Sequence, residues 1–334
     1  MSNLKAVSLL SGGLDSTIAT QLILNQGIVV HGINFHSPFC TCNSGSKLYP
    51  CSAAYFAKKL KVPIKILPKG DDYLKLILNP RFGYGKNMNP CIDCRIYILK
   101  KAKEYADQIG AGFLITGEVL GQRPKSQTLN ALKIIDEESG LKGLIVRPLS
   151  AGLLPPTIPE MNGIVNRDEL LKIQGRRRNT QVEIGRRYKL IESYCAGGGC
   201  LLTDKNFCKK LKDYFHHASR PRMADILYLK IGRHYRYNGI KIISGRNEIE
   251  NKKITAWARE NDVLLELRDI EGPTTLIFSP GSQLDLEFAA QVTIRYSDSK
   301  NQDHHVTILN KNRKFRDFNS IRDSSMNINL YRIM

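Results

Sequence analysis

The chain has 334 residues, 42% of them apolar, with 50 Lys and Arg against 31 Asp and Glu, a formal net charge of +19 and eight cysteines. That composition excludes a disordered tail, which lacks the apolar content to bury a core, and the length excludes a disulfide-stapled miniprotein. No window approaches the about 18 consecutive apolar residues of a membrane helix, and the run before Gly12 is too short for a secretory leader. A cytoplasmic protein with no membrane partner is therefore expected, its cysteines serving metal or catalytic chemistry and its charge facing a polyanion.

In chain order, Ala6–Leu10 is an apolar run ending in a glycine turn, and Thr17–Leu24 follows with helical spacing. Val29–Phe35 reads as a strand, Ser52–Leu60 as a helix, Pro63–Leu67 as extended, Ile92–Ile109 as a long amphipathic helix and Gly112–Thr116 as a buried strand. Strands alternating with helices predict a parallel α/β sheet over residues 1–150. Residues 151–221 read as a basic connector, opening with a proline-rich stretch that wraps the sheet and continuing with short helices at Arg167–Ile173 and Thr180–Ile184. Residues 222–334 read as a small α+β domain, with β-like stretches at Lys241–Ser244, Val263–Leu267, Thr275–Phe278 and Gln291–Tyr296 and one helix at Lys253–Glu260.

Ser11-Gly12-Gly13-Leu14-Asp15-Ser16 lies where the first strand hands over to the first helix. Two glycines admit an anion close to the backbone, the serines add hydroxyl donors, and the helix start presents unpaired N–H groups. The Gly-Lys-Ser/Thr ending of a Walker loop is missing. The motif resembles the SGGxDS signature of the PP-loop ATP pyrophosphatases, whose fold is of the adenine nucleotide alpha hydrolase kind. That resemblance implies ATP cleavage between the α- and β-phosphates, with Ser11, Gly12, Gly13 and Ser16 as the cradle and Asp15 as a catalytic ligand of Mg²⁺.

Cys91 and Cys94 form a CxxC pair at the start of the long predicted helix, where the helix dipole favours thiolate. Cys195 and Cys200 flank three glycines further on. Asn89, Pro90 and Cys94, together with Gly198, Cys200, Leu201, Leu202, Asp204 and Phe207, resemble the two cysteine segments of the tRNA thiouridine synthases within the PP-loop superfamily, the 2-thiouridylase relatives in particular. Thr203 stands where that pattern has glycine. Ile115-Thr116-Gly117-Glu118 resembles the stretch lining the family's nucleotide site, so that Thr116 and Gly117 join the ATP-binding set, while Glu118 replaces a histidine.

The resemblance implies adenylation of a tRNA uridine and sulfur transfer, with Cys94 and Cys200 as catalytic residues and a cysteine desulfurase, a persulfide carrier or free sulfide as sulfur donor. Two mechanisms fit. In one, a cysteine carries a persulfide and the other resolves it; in the other, Cys91, Cys94 and Cys200 hold a [4Fe-4S] cluster with one open iron, which is the favoured reading. A structural Zn²⁺ site made with Cys195 is a third possibility. Cys40, Cys42 and Cys51 leave open a persulfide relay, a second metal or a plain loop, and Cys208 falls at the spacing of a core residue.

Residues 151–221 carry 13 basic and 7 acidic side chains. Arg176, Arg177, Arg178, Arg186 and Arg187 suit phosphate contacts along RNA, with Tyr188 for stacking. Gly245-Arg246-Asn247-Glu248-Ile249-Glu250-Asn251 and the residues after it resemble the R domain of NFACT-type proteins, which implies a further RNA-binding module. With SGGLDS beginning at residue 11, no THUMP-like N-terminal extension is expected, and tRNA binding falls to these downstream segments. Other PP-loop chemistry, such as a deazaguanine-type synthase or an amide-forming ligase, and a non-catalytic RNA-binding protein are the alternatives.

Overall fold

The computed structural model describes residues 4–41, 52–191, 199–268, 270–299, 302–310 and 316–333. The chain divides into two compact units, Met1–Asp204 and Lys205–Met334.

The first unit runs β1 (Lys5–Leu9), α1 (Leu14–Asn25), β2 (Val29–His36), α2 (Ser52–Lys59), β3 (Ile64–Pro68), α3 (Asp71–Leu78), α4 (Cys91–Ile109), β4 (Phe113–Ile115), α5 (Leu129–Glu138), β5 (Ile145–Val146), α6 (Ile158–Met161) and α7 (Asn179–Arg187). The strands form one parallel sheet in the order β3-β2-β1-β4-β5. Because β1 is central, both of its faces are covered: Ala6, Val7 and Leu9 are buried without alternation, and the buried Ser8 hydroxyl lies 2.7 Å from that of Thr20. One face is covered by α1 and α2 through Leu14, Ile18, Ile23 and Phe56, the other by α4 and α5 through Leu99, Ala102, Ala106 and Ile135.

Residues 151–190, read from sequence as part of a connector, pack into this unit. Val165, Leu170, Ile173 and Leu190 join the core beside α1. The expected helix at Arg167–Ile173 is only a 3-10 turn over Arg167–Glu169. Beyond it the amides of Leu171 and Ile173 donate to the carbonyls of Pro148 and Leu149, both at 2.8 Å, so the backbone is satisfied by pairing and not by coiling.

The second unit contains α8 (Lys205–His217), β6 (Arg233–Tyr237), β7 (Ile240–Ser244), α9 (Glu248–Trp257), β8 (Val263–Leu267), β9 (Thr275–Ile277), α10 (Gln283–Arg295), β10 (Asp303–Asn310) and β11 (Arg316–Ile321). Its sheet is antiparallel, in the order β11-β10-β8-β9-β7-β6. The α+β expectation holds, with one correction: the β-like stretch from Gln291 lies inside α10. Val292, Thr293 and Ile294 favour strand by propensity, yet Ser282 and Asp285 form a capping box that starts a helix, and Phe288, Ala289, Val292 and Ile294 are buried. Likewise α9 begins at Glu248, five residues before the expected Lys253, because the Asn247 side chain accepts from the Glu250 amide at 3.0 Å. Cys208 is buried on α8, as its spacing suggested.

Among the described residues, no helix is long and apolar enough to cross a membrane.

Candidate active site

In the strand order 3-2-1-4-5 the chain reverses its winding between β1 and β4, and the loops leaving the carboxyl ends of these two strands must diverge and leave a crevice. Both sequence-predicted nucleotide segments fall there. Ser11, Gly13, Asp15 and Ser16 from the β1 loop, and Thr116 and Gly117 from the β4 loop, line one cavity of about 300 Å³.

The β1 loop is tied to itself. Ser16 Oγ donates to the Gly13 carbonyl at 2.9 Å and accepts from the Ser11 amide at 3.2 Å, and the Ser11 and Ser16 hydroxyls lie 3.0 Å apart. Gly12 has φ of +78°, and a Cβ there would sit 2.1 Å from Ser52 Oγ at the start of α2. Gly117 meets a harder limit, since its Cβ would fall 2.4 Å from the Ser16 backbone nitrogen. The two loops therefore touch backbone to backbone, and only glycine allows it.

Asp15 is buried at the foot of the cavity. Its Oδ2 accepts from Gln122 Nε2 at 3.2 Å and from Arg178 Nη2 at 3.0 Å, whereas Oδ1 is buried without a hydrogen-bond partner. A buried carboxylate oxygen left this way invites a cation. One carboxylate beside a polyphosphate is the usual donor set for Mg²⁺, so the residues present fit that ion.

The cysteines enter from the other side. Cys91 and Cys94 open α4, and Cys200 is carried in by a segment that docks on two loops. There Leu201 N donates to Phe39 O at 2.8 Å, Met88 N to Leu202 O at 3.1 Å, and Thr41 Oγ1 to Gly199 O at 2.9 Å. Cys91, Cys94 and Cys200 are free thiols lining the same cavity as the glycine loop, and Cys40 lines it too. Cys42, Cys51 and Cys195 lie outside the described residues.

Their environments differ. Lys69 Nζ lies 3.3 Å from Cys94 Sγ and 4.2 Å from the centre of the Tyr73 ring. Burial alone would raise the Cys94 thiol, but the Lys69 ammonium and hydrogen bonds from Tyr73 and Lys69 outweigh it and hold the pKa below the ordinary thiol value. Burial, with Cys94 nearby, pushes Cys91 up, and burial pushes Cys200 up to about 12. Among the described residues, no group of three His, Cys, Asp or Glu side chains is arranged to hold a metal ion. In this arrangement the three thiols share a cavity without forming a ready ligand set.

Sequence reasoning missed Lys69, Tyr73, Arg95, Gln122 and Arg123, all of which line the cavity. Glu118, which stands where the resembling pattern has histidine, is fully buried and bridges Arg95 and Arg147, each at 3.0 Å. Burial would raise its carboxyl pKa, but the two guanidiniums and the Thr116 hydroxyl hold it below the usual carboxylate range. Arg147 also pairs with Asp136 at 2.6 Å. Glu118 thus fixes Arg95 in the cavity wall from behind.

The basic run is split. Arg176, Arg177, Arg186 and Arg187 are exposed, while Arg178 lines the cavity. Tyr188 packs against the core, and its hydroxyl accepts from Asn25 at 3.0 Å.

Residues 1–152 match the family model described as thiamine biosynthesis protein (ThiI), and residues 232–328 match that of the NFACT protein RNA binding domain. The two matches fall on different parts of the chain, one within each compact unit. The chain is 32% identical over 156 residues to a probable tRNA sulfurtransferase of Alkaliphilus metalliredigens, a match covering 45% of this chain and 36% of that protein. It is 31% identical over 146 residues to the probable tRNA sulfurtransferase of Thermococcus kodakarensis, covering 43% and 36%. The matches thus span little more than a third of these relatives' length. A solved 4-thiouridine synthetase in complex with RNA and ATP aligns at 24% identity over 60% of this chain and 45% of that one, with a TM-score of 0.39.

Proposed function

We propose that the protein is an ATP-dependent tRNA sulfurtransferase that adenylates a uridine and replaces its carbonyl oxygen with sulfur. The observation that carries this reading is the convergence of the SGGLDS loop, Thr116-Gly117 and three free thiols on one cavity of about 300 Å³. An activating half and a sulfur half stand within a single site.

Ser11, Gly13 and Ser16 would receive the phosphates of ATP, with the α1 N-terminus favouring negative charge. Asp15 would hold Mg²⁺, which when bound neutralises charge on departing pyrophosphate. The uridine carbonyl oxygen attacks the α-phosphate, its bond to phosphorus forms, and pyrophosphate leaves. The terminal sulfur of a cysteine persulfide, supplied by a persulfide donor, then adds to the activated carbon, and AMP departs with the former carbonyl oxygen. The second cysteine's thiolate cuts the S–S bond, leaving thiouridine and a Cys94–Cys200 disulfide that an external dithiol must reduce. Lys69 and Tyr73 hold Cys94 in place for its part.

Exposed Arg176, Arg177, Arg186 and Arg187 and the NFACT-type domain would engage tRNA. The iron–sulfur reading with Cys91, Cys94 and Cys200 stays as the second, favoured by their sharing of one cavity, and Zn²⁺ is its colourless variant.

The test is incubation of purified chain with unmodified tRNA, ATP, Mg²⁺ and a persulfide donor, followed by nucleoside mass spectrometry and AMP measurement. A thiouridine formed with one AMP each is the expected result. Persistent absence of both products, also after anaerobic preparation, refutes the activity, and an absorption band near the visible range that is lost in Cys91→Ala would move the mechanism to the cluster.

A further inference from the structure

The three arginines of the basic run look equivalent in sequence, yet only Arg178 turns inward. Two fixtures set its position. The Gly175 amide donates to the Leu120 carbonyl at 2.8 Å, tying the start of the run to the loop after β4. On the far side α7 packs on α1 so closely that a Cβ on Gly185 would fall 2.8 Å from Leu14 Cδ1. Between them Arg178 meets Asp15 through one nitrogen, with its side chain 36% exposed.

A single-nitrogen contact leaves most of a guanidinium's donors unspent, whereas phosphate oxygens can engage two at once. Asp15, for its part, has one buried oxygen with no partner and the other shared between Arg178 and Gln122. A divalent cation bound there carries twice the charge of Arg178 and competes with it for the carboxylate.

We infer that Arg178 belongs to the nucleotide site and not to the RNA surface: it holds Asp15 until a divalent cation takes that carboxylate, and then turns its guanidinium to the polyphosphate. The inference rests on the proposed ATP-binding reading. It gives Arg178 two states, one on Asp15 and one on the phosphates.

The experiment uses the whole chain, as unaltered protein, Arg178→Ala and Arg178→Lys. Binding of an ATP analogue with a methylene bridge between the α- and β-phosphorus atoms is measured by equilibrium dialysis at several Mg²⁺ concentrations. Mn²⁺ binding without nucleotide is followed by electron paramagnetic resonance, and tRNA binding by filter retention at several salt concentrations. In Arg178→Ala the analogue is expected to bind about tenfold more weakly at saturating Mg²⁺. Mn²⁺ alone is expected to bind more tightly because its competitor is gone, and Arg178→Lys to recover part of the analogue affinity. The tRNA affinity and its salt dependence should stay as in the unaltered protein, which also shows that the variant is folded. Unchanged analogue and Mn²⁺ binding in Arg178→Ala overturns the inference, as does a loss of tRNA affinity with a salt slope lowered by about one. If the unaltered chain binds no analogue at any Mg²⁺ concentration, the ATP reading itself has failed and the inference falls with it.

Discussion

Asp15 in the first unit and Asp213 in the second are both substantially buried carboxylates that meet arginine, and they differ in how completely their oxygens are paired. Asp213 on α8 accepts from Arg236 at 3.0 and 2.7 Å and from Lys241 at 2.7 Å, so both of its oxygens are satisfied within its own unit. Asp15 has one oxygen in two hydrogen bonds, at 3.0 and 3.2 Å, and the other in none. A satisfied buried charge anchors α8 to the sheet of its unit; a half-satisfied one marks a place where something is still to arrive.

The largest effects are expected in the first unit. Cys94→Ala and Cys200→Ala should each abolish thiolation while leaving tRNA binding intact, as read by nucleoside mass spectrometry and filter retention; thiolation surviving either change removes that cysteine from the mechanism. Next in size, Glu118→Gln would leave Arg95 in the cavity wall and Arg147 behind it facing a neutral group. Breaking a buried ion pair costs about 3–5 kcal/mol, so a lowered denaturation midpoint is expected together with weaker nucleotide binding.

Gly117→Ala tests the backbone contact between the two loops. The new Cβ would press on the Ser16 nitrogen and cost about 1–3 kcal/mol through forced backbone movement, with nucleotide binding lost before the fold is. A variant that binds nucleotide normally would show that the loops can separate at little cost.

In the second unit the prediction concerns pH. Burial would raise the Asp213 pKa, but Arg236 and Lys241 hold it below the ordinary carboxylate value. A carboxyl whose folded pKa lies below its unfolded one stabilises the fold above the unfolded value of about 4, and that stability is lost as pH falls through the folded pKa. Denaturant unfolding of the unaltered chain and of Asp213→Asn should therefore differ most near neutral pH and converge in acid. A difference that does not change with pH would mean that Asp213 acts through its shape alone. The smallest effect is expected at the surface. Arg186→Ala with Arg187→Ala should weaken tRNA binding modestly, lower its salt slope by about two and leave stability within about 0.5 kcal/mol.

Much of this was legible in the residues because the causes are local. Apolar-rich strands, the helix-period run of α4 and the glycine pair before α1 are dictated by neighbours within a few residues, and the parallel α/β class follows from the alternation of strand and helix. Where the sequence misled, a local preference lost to a distant partner. Val292, Thr293 and Ile294 favour strand, but their burial around Phe288 selects the helix. Arg167–Ile173 has helical spacing, but Pro148 and Leu149 supply its later amides with carbonyls.

The chemical inventory is written in residues adjacent in the chain: a glycine- and serine-rich turn before a helix, thiols at fixed spacing and an excess of positive charge. Which members of that inventory meet depends on the fold. Asp15 and Arg178 are 163 residues apart, Lys69 and Cys94 25, and Glu118 and Arg147 29. None of these pairings has a sequence period to reveal it. They exist because the parallel sheet sends the segments that follow β1, β3, β4 and β5 out at one carboxyl edge, and because a charged group buried there must find its partner across the chain.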